Sequence, residues 1–390
     1  MAPTSSRRAF TAALAAIAAA VTTGCGGGDG ESPPPPAAPP AASASSINRV
    51  MVAGNSLADV GTFGLKATVQ NAAAPAAGYP VYPEIVARDL GAGSQCNFFS
   101  SSNGVTFTRN AGCTNFAVGG AQVLNPAPRG GSEVPLSIRF QLEAALEASG
   151  GAWRAGDLIL LGVGGNDAAA LADAYLDARG GGAEAAVYLA LLAQQLDASD
   201  IDDAMAQPDG ETAVGGLYMQ RLARTFWDTV KTHTLDAGAT RVALLNVPDI
   251  TLMPRFRNIV AGIAAAEGAA EAAAFQGALR QWIVAFNSEL AQLTANDPRV
   301  VLVPYFEDLS AQTANPSAFG LTNVTDPSCP PVGGFPACTD AALDASPPAT
   351  GLGPGWWKTW AYSDGFHPSP RGHELLAASV KAALARAGWR

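Results

Sequence analysis

The chain has 390 residues, of which 48% are hydrophobic and 14% are charged, and its formal net charge is −10. A chain with this much apolar material can bury a large core, which argues against global disorder. No run of Lys or Arg follows residue 10, and the acidic balance offers nothing for a phosphate backbone to bind. The composition therefore indicates a folded protein without a nucleic-acid partner.

The first 25 residues have the pattern of an export signal. Arg7 and Arg8 form a basic segment, and residues 12–21 form an apolar stretch that is too short to span a bilayer. The arginine pair is similar to a twin-arginine signal, and residues 22–25 are similar to a bacterial lipoprotein cleavage site that would place a lipid on Cys25. The alternative is an ordinary secretory peptide in which Cys25 has no role.

Residues 26–46 are rich in Gly, Pro, Ala and Ser and contain almost no large apolar residue. Such a segment cannot bury a core, so we expect a flexible tether that separates a folded domain at 47–390 from the export signal. The sequence thus predicts an exported protein, either periplasmic, anchored to the outer membrane through a lipidated Cys25, or secreted.

Beyond Cys25 the chain has four cysteines, at Cys96, Cys113, Cys329 and Cys338. An even number in an exported chain indicates disulfides, which four cysteines can form in three arrangements. The expected pairs are the local ones, Cys96 with Cys113 and Cys329 with Cys338. The chain has three histidines, no Cys-x-x-Cys pair and no His-Glu-x-x-His segment, and it therefore predicts no metal site.

Continuous apolar runs alternate with helical patterns along the rest of the chain. The runs typical of buried parallel strands lie at 47–53, 157–163, 241–247 and 300–304. The helical patterns lie at 135–149, 167–196, 217–235 and 261–295. This alternation predicts a doubly wound α/β fold with a central parallel sheet.

Two residues near the end of this domain could activate a serine near its start. Ser56 follows the first predicted strand, and Asp364 and His367 lie near the carboxyl terminus. A serine hydroxyl attacks a carbonyl only when a base accepts its proton, and that base needs a third group to orient it. Alone, Ser56 would be read as a helix cap and Asp364 as a turn residue. His373, by contrast, opens the last helix, where capping or solvation explains it.

Acyl transfer also needs hydrogen-bond donors for the developing oxyanion. Residues 115–121 form a short apolar stretch with a glycine pair, in which Gly120 can bring a backbone amide close to a ligand. Asn166 follows the strand predicted at 157–163 and can donate through its side chain. With the amide of Ser56, these residues are the candidate oxyanion donors.

Four short segments resemble, in order, the four blocks of the GDSL or SGNH hydrolases. They are Gly-Asn-Ser-Leu-x-Asp at 54–59, Asn-Phe-Ala-Val-Gly-Gly-Ala at 115–121, Gly-Gly-Asn-Asp at 164–167 and Asp-Gly-Phe-His-Pro-Ser at 364–369. The similarity extends from about residue 50 to residue 377. Segments 247–254 and 315–324 also resemble the larger bacterial branch described as phospholipases, lecithinases or haemolysins.

This resemblance implies a flavodoxin-like αβα sandwich and a role for each matching residue. Ser56 would be the nucleophile and first oxyanion donor, Gly120 and Asn166 the other donors, and Asp364 and His367 the acid–base pair. The implied activity is that of a serine esterase or lipase without a cofactor, acting on acyl-ester or lipid substrates.

Asn55 departs from the family pattern, which has Asp at this position. Because Asn is close to Asp in shape, we expect an intact turn with altered local charge. Alternatives on the same site are a phospholipase A or lysophospholipase and a carbohydrate acetylesterase. An alternative of another class, which Asn55 favours, is a surface lipoprotein that binds lipid or glycan without turning it over.

Overall fold

The structure is a computed structural model that describes residues 46–75 and 78–389. The predicted export signal, Cys25 and nearly all of the predicted tether lie outside the described residues. None of the helices in the described part of the chain is long and apolar enough to cross a membrane.

Strands and helices alternate through the described residues. The strands are β1 (Arg49–Gly54), β2 (Phe99–Ser100), β3 (Thr108–Arg109), β4 (Asp157–Gly162), β5 (Val242–Leu245), β6 (Val300–Val303), β7 (Asn323–Pro327) and β8 (Trp360–Tyr362). The α-helices are α1 (Tyr82–Asp89), α2 (Ile138–Ala148), α3 (Gly165–Ala178), α4 (Ala183–Leu192), α5 (Ala198–Met205), α6 (Gly210–Val230), α7 (Pro254–Glu267), α8 (Ala269–Thr294), α9 (Tyr305–Ala314), α10 (Asp340–Ala345) and α11 (Pro370–Arg386).

The central sheet is parallel, with strand order β1-β4-β5-β6. Residues 115–118 run along the free side of β1, where Phe116 N–H donates to Val52 O (2.7 Å) and Val118 N–H donates to Gly54 O (3.1 Å). The predicted α/β class with a central parallel sheet is confirmed. Because all these segments run in one direction, the residues that follow them meet at one edge of the sheet.

Helices cover the sheet on both faces. The edge strand β1 contacts both α1 and α2, and β6 contacts both α8 and α11. With helices on both sides of the sheet, β1 and β4 are almost entirely buried, which explains why they are continuous apolar runs.

Two of the predicted helices are each two helices in the structure. The pattern at 167–196 divides into α3 and α4 around a glycine run that includes Gly182, and the pattern at 261–295 lies in α7 and α8, which meet at Gly268. Gly268 has a φ of +104°, a left-handed conformation that interrupts a helix and that glycine adopts without strain. The prediction of unbroken helices there was wrong because alanine-rich flanks masked these glycines.

Two disulfides join the loops, Cys96 to Cys113 and Cys329 to Cys338, which are the local pairs expected from the sequence. The second lies in a small core of its own, in which both cysteines and Trp357 are buried. The first closes the segment that carries β2 and β3.

Candidate active site

Ser56 lies in the turn at 55–59 that follows β1, which we call the serine turn. The strand ends at Gly54, where an added Cβ would stand 2.6 Å from Gly162 O of the neighbouring strand, so no larger residue fits. The buried Gln141 of α2 closes this strand end: it accepts from Gly54 N–H (2.7 Å) and donates to Gly54 O (3.0 Å). These contacts fix the point from which the serine turn departs.

Asn55 holds the serine turn closed. Its side chain is buried, and its Oδ1 accepts from Leu57 N–H at 3.1 Å. Its main-chain oxygen accepts from the amides of Ala58 (3.0 Å) and Asp59 (3.1 Å). The intact turn expected with Asn at this position is therefore present.

The structure brings Ser56, His367 and Asp364 into one hydrogen-bonded line. Ser56 Oγ lies 2.8 Å from His367 Nε2, and His367 Nδ1 lies 2.7 Å from Asp364 Oδ2. The other carboxylate oxygen, Oδ1, accepts from the amides of Phe366 (2.8 Å) and His367 (2.6 Å). The aspartate thus orients the ring and at the same time closes the loop that carries it.

The Asp364 carboxyl is held in its ionised form. Burial raises its pKa, but the hydrogen bond and charge of His367 and the two loop amides outweigh burial, so the pKa lies below its usual value. An ionised neighbour stabilises a histidine that has taken up a proton.

The glycine pair lies at the end of the segment that runs along β1. Gly120 has a φ of +81°, a left-handed conformation that turns the chain. Among the described residues, neither Gly120 N–H nor Ser56 N–H has a hydrogen-bond acceptor. Two such amides are free to donate to a bound oxygen atom.

The loop at 119–121, which carries the glycine pair, is called the glycine loop. Asn166, at the start of α3, bonds to it. Its Nδ2 donates to Ala121 O (2.9 Å), which uses one of its two amide hydrogens. Asn166 and Gly120 line one cavity of about 320 Å³, whose lining is mixed and includes the charged residues Arg129 and Arg255. Two of the three sequence-predicted donors, Gly120 and Asn166, therefore line one cavity.

Asp59, which the sequence reasoning left without a role, anchors the glycine loop to the serine turn. Its Oδ1 accepts from the amides of Gly61 (2.9 Å) and Thr62 (2.8 Å), and its Oδ2 accepts from Gly119 N–H (2.8 Å). Burial raises the pKa of this carboxyl, against the lowering effect of these amides. The only signal in the sequence was an acidic residue three places after the serine.

Asp167 anchors the residues that directly follow the glycine loop. Its buried carboxylate accepts from Val123 N–H (3.1 Å) and Leu124 N–H (3.2 Å). Neither Asn166 nor Asp167 caps α3, because Gly164 is its N-cap and no side chain caps it. Their side chains bond instead to Ala121 O and to the amides of Val123 and Leu124.

Asp167→Asn is expected to change how stability depends on pH. Burial raises the pKa of Asp167 from 3.8 to about 6 despite its amide donors, so the folded state binds this proton more tightly than the unfolded state. The stabilisation is complete below pH 3.8 and is lost as the pH rises through about 6. Relative to Asp167→Asn, the wild type should lose about 2 kcal/mol of unfolding free energy between pH 4 and pH 7.

Urea unfolding of both proteins at the two pH values measures this difference. Asp202→Asn, which removes an exposed carboxylate of α5, is the control for the loss of one charge. An equal pH dependence in the wild type and Asp167→Asn would contradict the prediction.

His373 is not part of the hydrogen-bonded line, as expected, but its environment differs from the prediction. It is fully buried, its Nδ1 accepts from Tyr82 N–H (3.3 Å), and burial lowers its pKa to about 3. Ser369 caps α11 instead, because its side chain accepts from Gly372 N–H. His373 is therefore a neutral, buried residue that bonds to the start of α1, and the capping and solvation interpretations were wrong.

The geometry agrees with a comparison of the whole chain with known families. A family model for GDSL-like lipase/acylhydrolases matches residues 50–380. The chain belongs to the GDSL-like lipase/acylhydrolase family. Membership implies a hydrolase that acts on esters, and the match is to the family as a whole, so the phospholipase-like branch stays a prediction. A search of curated proteins finds no match to the chain.

Proposed function

We propose that this GDSL hydrolase is an exported serine esterase that works through an acyl-enzyme, with Ser56 as nucleophile, His367 as general base and acid, and Asp364 as the carboxylate that orients it. The observation that carries the proposal is the continuous line from Ser56 Oγ through both ring nitrogens of His367 to Asp364 Oδ2. A line of this kind moves one proton away from a hydroxyl and stabilises the charge that results.

The reaction begins when Ser56 Oγ attacks the ester carbonyl and His367 Nε2 takes the hydroxyl proton. The negative charge on the carbonyl oxygen is stabilised by the amides of Ser56 and Gly120 and by the second amide hydrogen of Asn166. When the intermediate collapses, the C–O bond to the alcohol breaks and His367 returns the proton to the leaving oxygen. Water then repeats the sequence on the acyl-enzyme, releasing the acid and restoring Ser56.

The two disulfides support the proposed export, because such bonds persist in oxidising compartments. Lipidation at Cys25, which would anchor the enzyme at a membrane, is proposed from the sequence alone. In this arrangement residues 1–25 direct export, 26–46 form a tether, and 47–390 form the hydrolase domain.

Labelling by a fluorophosphonate tests the proposal directly. We expect the probe to modify Ser56, as located by peptide mass spectrometry, and to abolish hydrolysis of p-nitrophenyl acetate. Ser56→Ala should lose both labelling and turnover, whereas Ser199→Ala, which removes an exposed hydroxyl of α5, should lose neither. Absence of labelling and turnover in the wild type would favour the binding lipoprotein instead.

A further inference from the structure

An apolar cavity of about 470 Å³ lies beside the glycine loop, and nothing in the proposed reaction uses it. Its volume is within the range of small-molecule sites, which are mostly apolar and bury most of their ligand. The apolar side chains that line it are Phe63, Val105, Phe107, Val134 and Leu136.

The cavity wall is built from the two segments that carry the proposed nucleophile and oxyanion donor. Phe63 lies seven residues after Ser56, and its ring edge stands 3.4 Å from the place where a Cβ on Gly119 would be. Gly119 lines the apolar cavity, and the next residue, Gly120, lines the cavity of mixed lining. The two cavities therefore flank the same loop.

Arg129 marks the boundary between the two cavities, since it lines both of them. Its guanidinium donates to Gly120 O (3.2 Å) and to Gln122 Oε1 (3.0 Å). One side chain thus contacts the glycine loop and both cavities. A substrate whose carbonyl oxygen lies at Gly120 would have the apolar cavity on one side and, on the other, the cavity of mixed lining that carries charged side chains.

Large apolar side chains are exposed at this cavity. Val105 is 77% exposed and Phe63 is 38% exposed, and both line the same space. Single exposed apolar residues need no explanation, but a cluster around a cavity typically marks a binding site.

The wall that carries Val105 is held in place before any ligand binds. The disulfide between Cys96 and Cys113 closes this segment, and Asn103 Oδ1 accepts from the amides of Val105 and Thr106 (both 2.9 Å). The ring of Phe107 packs edge-on against that of Phe63, with centroids 6.2 Å apart. A preformed wall lowers the entropic cost of binding.

We infer that this cavity binds the acyl chain of the ester, so the substrates are fatty-acyl esters and not acetyl esters alone. The inference rests on the proposed function, because the chain must reach the cavity from a carbonyl at Ser56. Each additional methylene that enters the cavity should raise kcat/KM about three- to fourfold until the space is filled.

Hydrolysis of p-nitrophenyl esters from acetate to octanoate, below their aggregation limits, tests the inference. The wild type should show rising kcat/KM with chain length. Val105→Asp places a hydrated carboxylate in the cavity wall and should reduce the gain to about twofold or less per methylene. Val187→Asp is the matched control, because Val187 is 63% exposed on α4 and lines neither cavity, and it should keep the wild-type gain.

Three results would overturn the inference: a wild type that prefers acetate, a Val105→Asp variant with the wild-type gain, or an equal loss in Val187→Asp. Each of these leaves acetate turnover and Ser56 labelling in the wild type intact, so the proposed function survives them. No turnover at any length, together with no labelling of Ser56, would overturn the proposed function and this inference with it.

Discussion

Asp364→Asn is expected to lower kcat by about 10⁴-fold while leaving the fold intact. In the wild type, Asp364 Oδ1 accepts from two loop amides, of Phe366 and His367, and Oδ2 faces His367 Nδ1. An asparagine would keep its oxygen toward the two amides, because an NH₂ group there would meet two N–H donors. Its NH₂ group must then face Nδ1.

That orientation gives the histidine the wrong tautomer. With an NH₂ donor at Nδ1, the neutral ring carries its own proton on Nε2, the atom that lies 2.8 Å from Ser56 Oγ. Nε2 then donates to the serine and cannot accept the hydroxyl proton, so the attack loses its base. A loss of stabilising charge alone would not require this change of tautomer.

Steady-state hydrolysis of p-nitrophenyl butyrate and the rate of fluorophosphonate labelling measure the effect. Both should fall together in Asp364→Asn, because both depend on removal of the Ser56 proton. Asp326→Asn, which changes an exposed carboxylate of β7, serves as the control and should retain both rates. Activity within tenfold of the wild type in Asp364→Asn would show that Asp364 does not set the state of His367.

The central strands could be predicted from the sequence because a strand covered on both faces is a continuous apolar run. The runs at 157–163 and 300–304 correspond to β4 and β6 to within a residue at each end. The wall of the apolar cavity could not be predicted in this way. Its strands β2 and β3 have two residues each, which is too short for a periodic pattern in the sequence. The segment is held in place by a disulfide and by hydrogen bonds of turn side chains.

The residues in the hydrogen-bonded line could be anticipated because each has a chemical type that the reaction requires. Ser56, His367 and Asp364 form a recognisable set even when the chain separates them. The anchoring roles of Asp59 and Asp167 have no such signal, because their partners lie 60 and 44 residues away and are backbone amides. Any residue presents a backbone amide, so only the folded structure identifies these contacts.

Asp59→Asn is expected to lower kcat by about 10²-fold with little change in KM, since displacing one oxyanion donor costs a factor of this order. Asp59 uses both carboxylate oxygens as acceptors, with Oδ1 toward Gly61 and Thr62 and Oδ2 toward Gly119. An asparagine that keeps its oxygen toward the first two amides must turn its NH₂ group toward Gly119 N–H. Two donors then face each other, and the glycine loop must move.

Displacement of the glycine loop should destabilise the transition state more than the complex with bound substrate. Gly120 is adjacent to Gly119, and its amide is the proposed donor to the oxyanion, which carries full charge only after Ser56 attacks. A displaced donor therefore lowers kcat, whereas the ground-state ester loses little binding. A purely structural role for Asp59 would instead lower stability and leave kcat per folded molecule unchanged.

Asp249→Asn provides the matched control for this distinction. Asp249 is also buried, and it accepts from the amide of Thr251 (3.2 Å) and from Arg280 Nε (2.8 Å), but it bonds to neither the serine turn nor the glycine loop. We expect Asp249→Asn to lower the urea midpoint while retaining the wild-type kcat, and Asp59→Asn to lower kcat at temperatures where it is fully folded. A wild-type kcat in folded Asp59→Asn would mean that the glycine loop holds its position without this carboxylate.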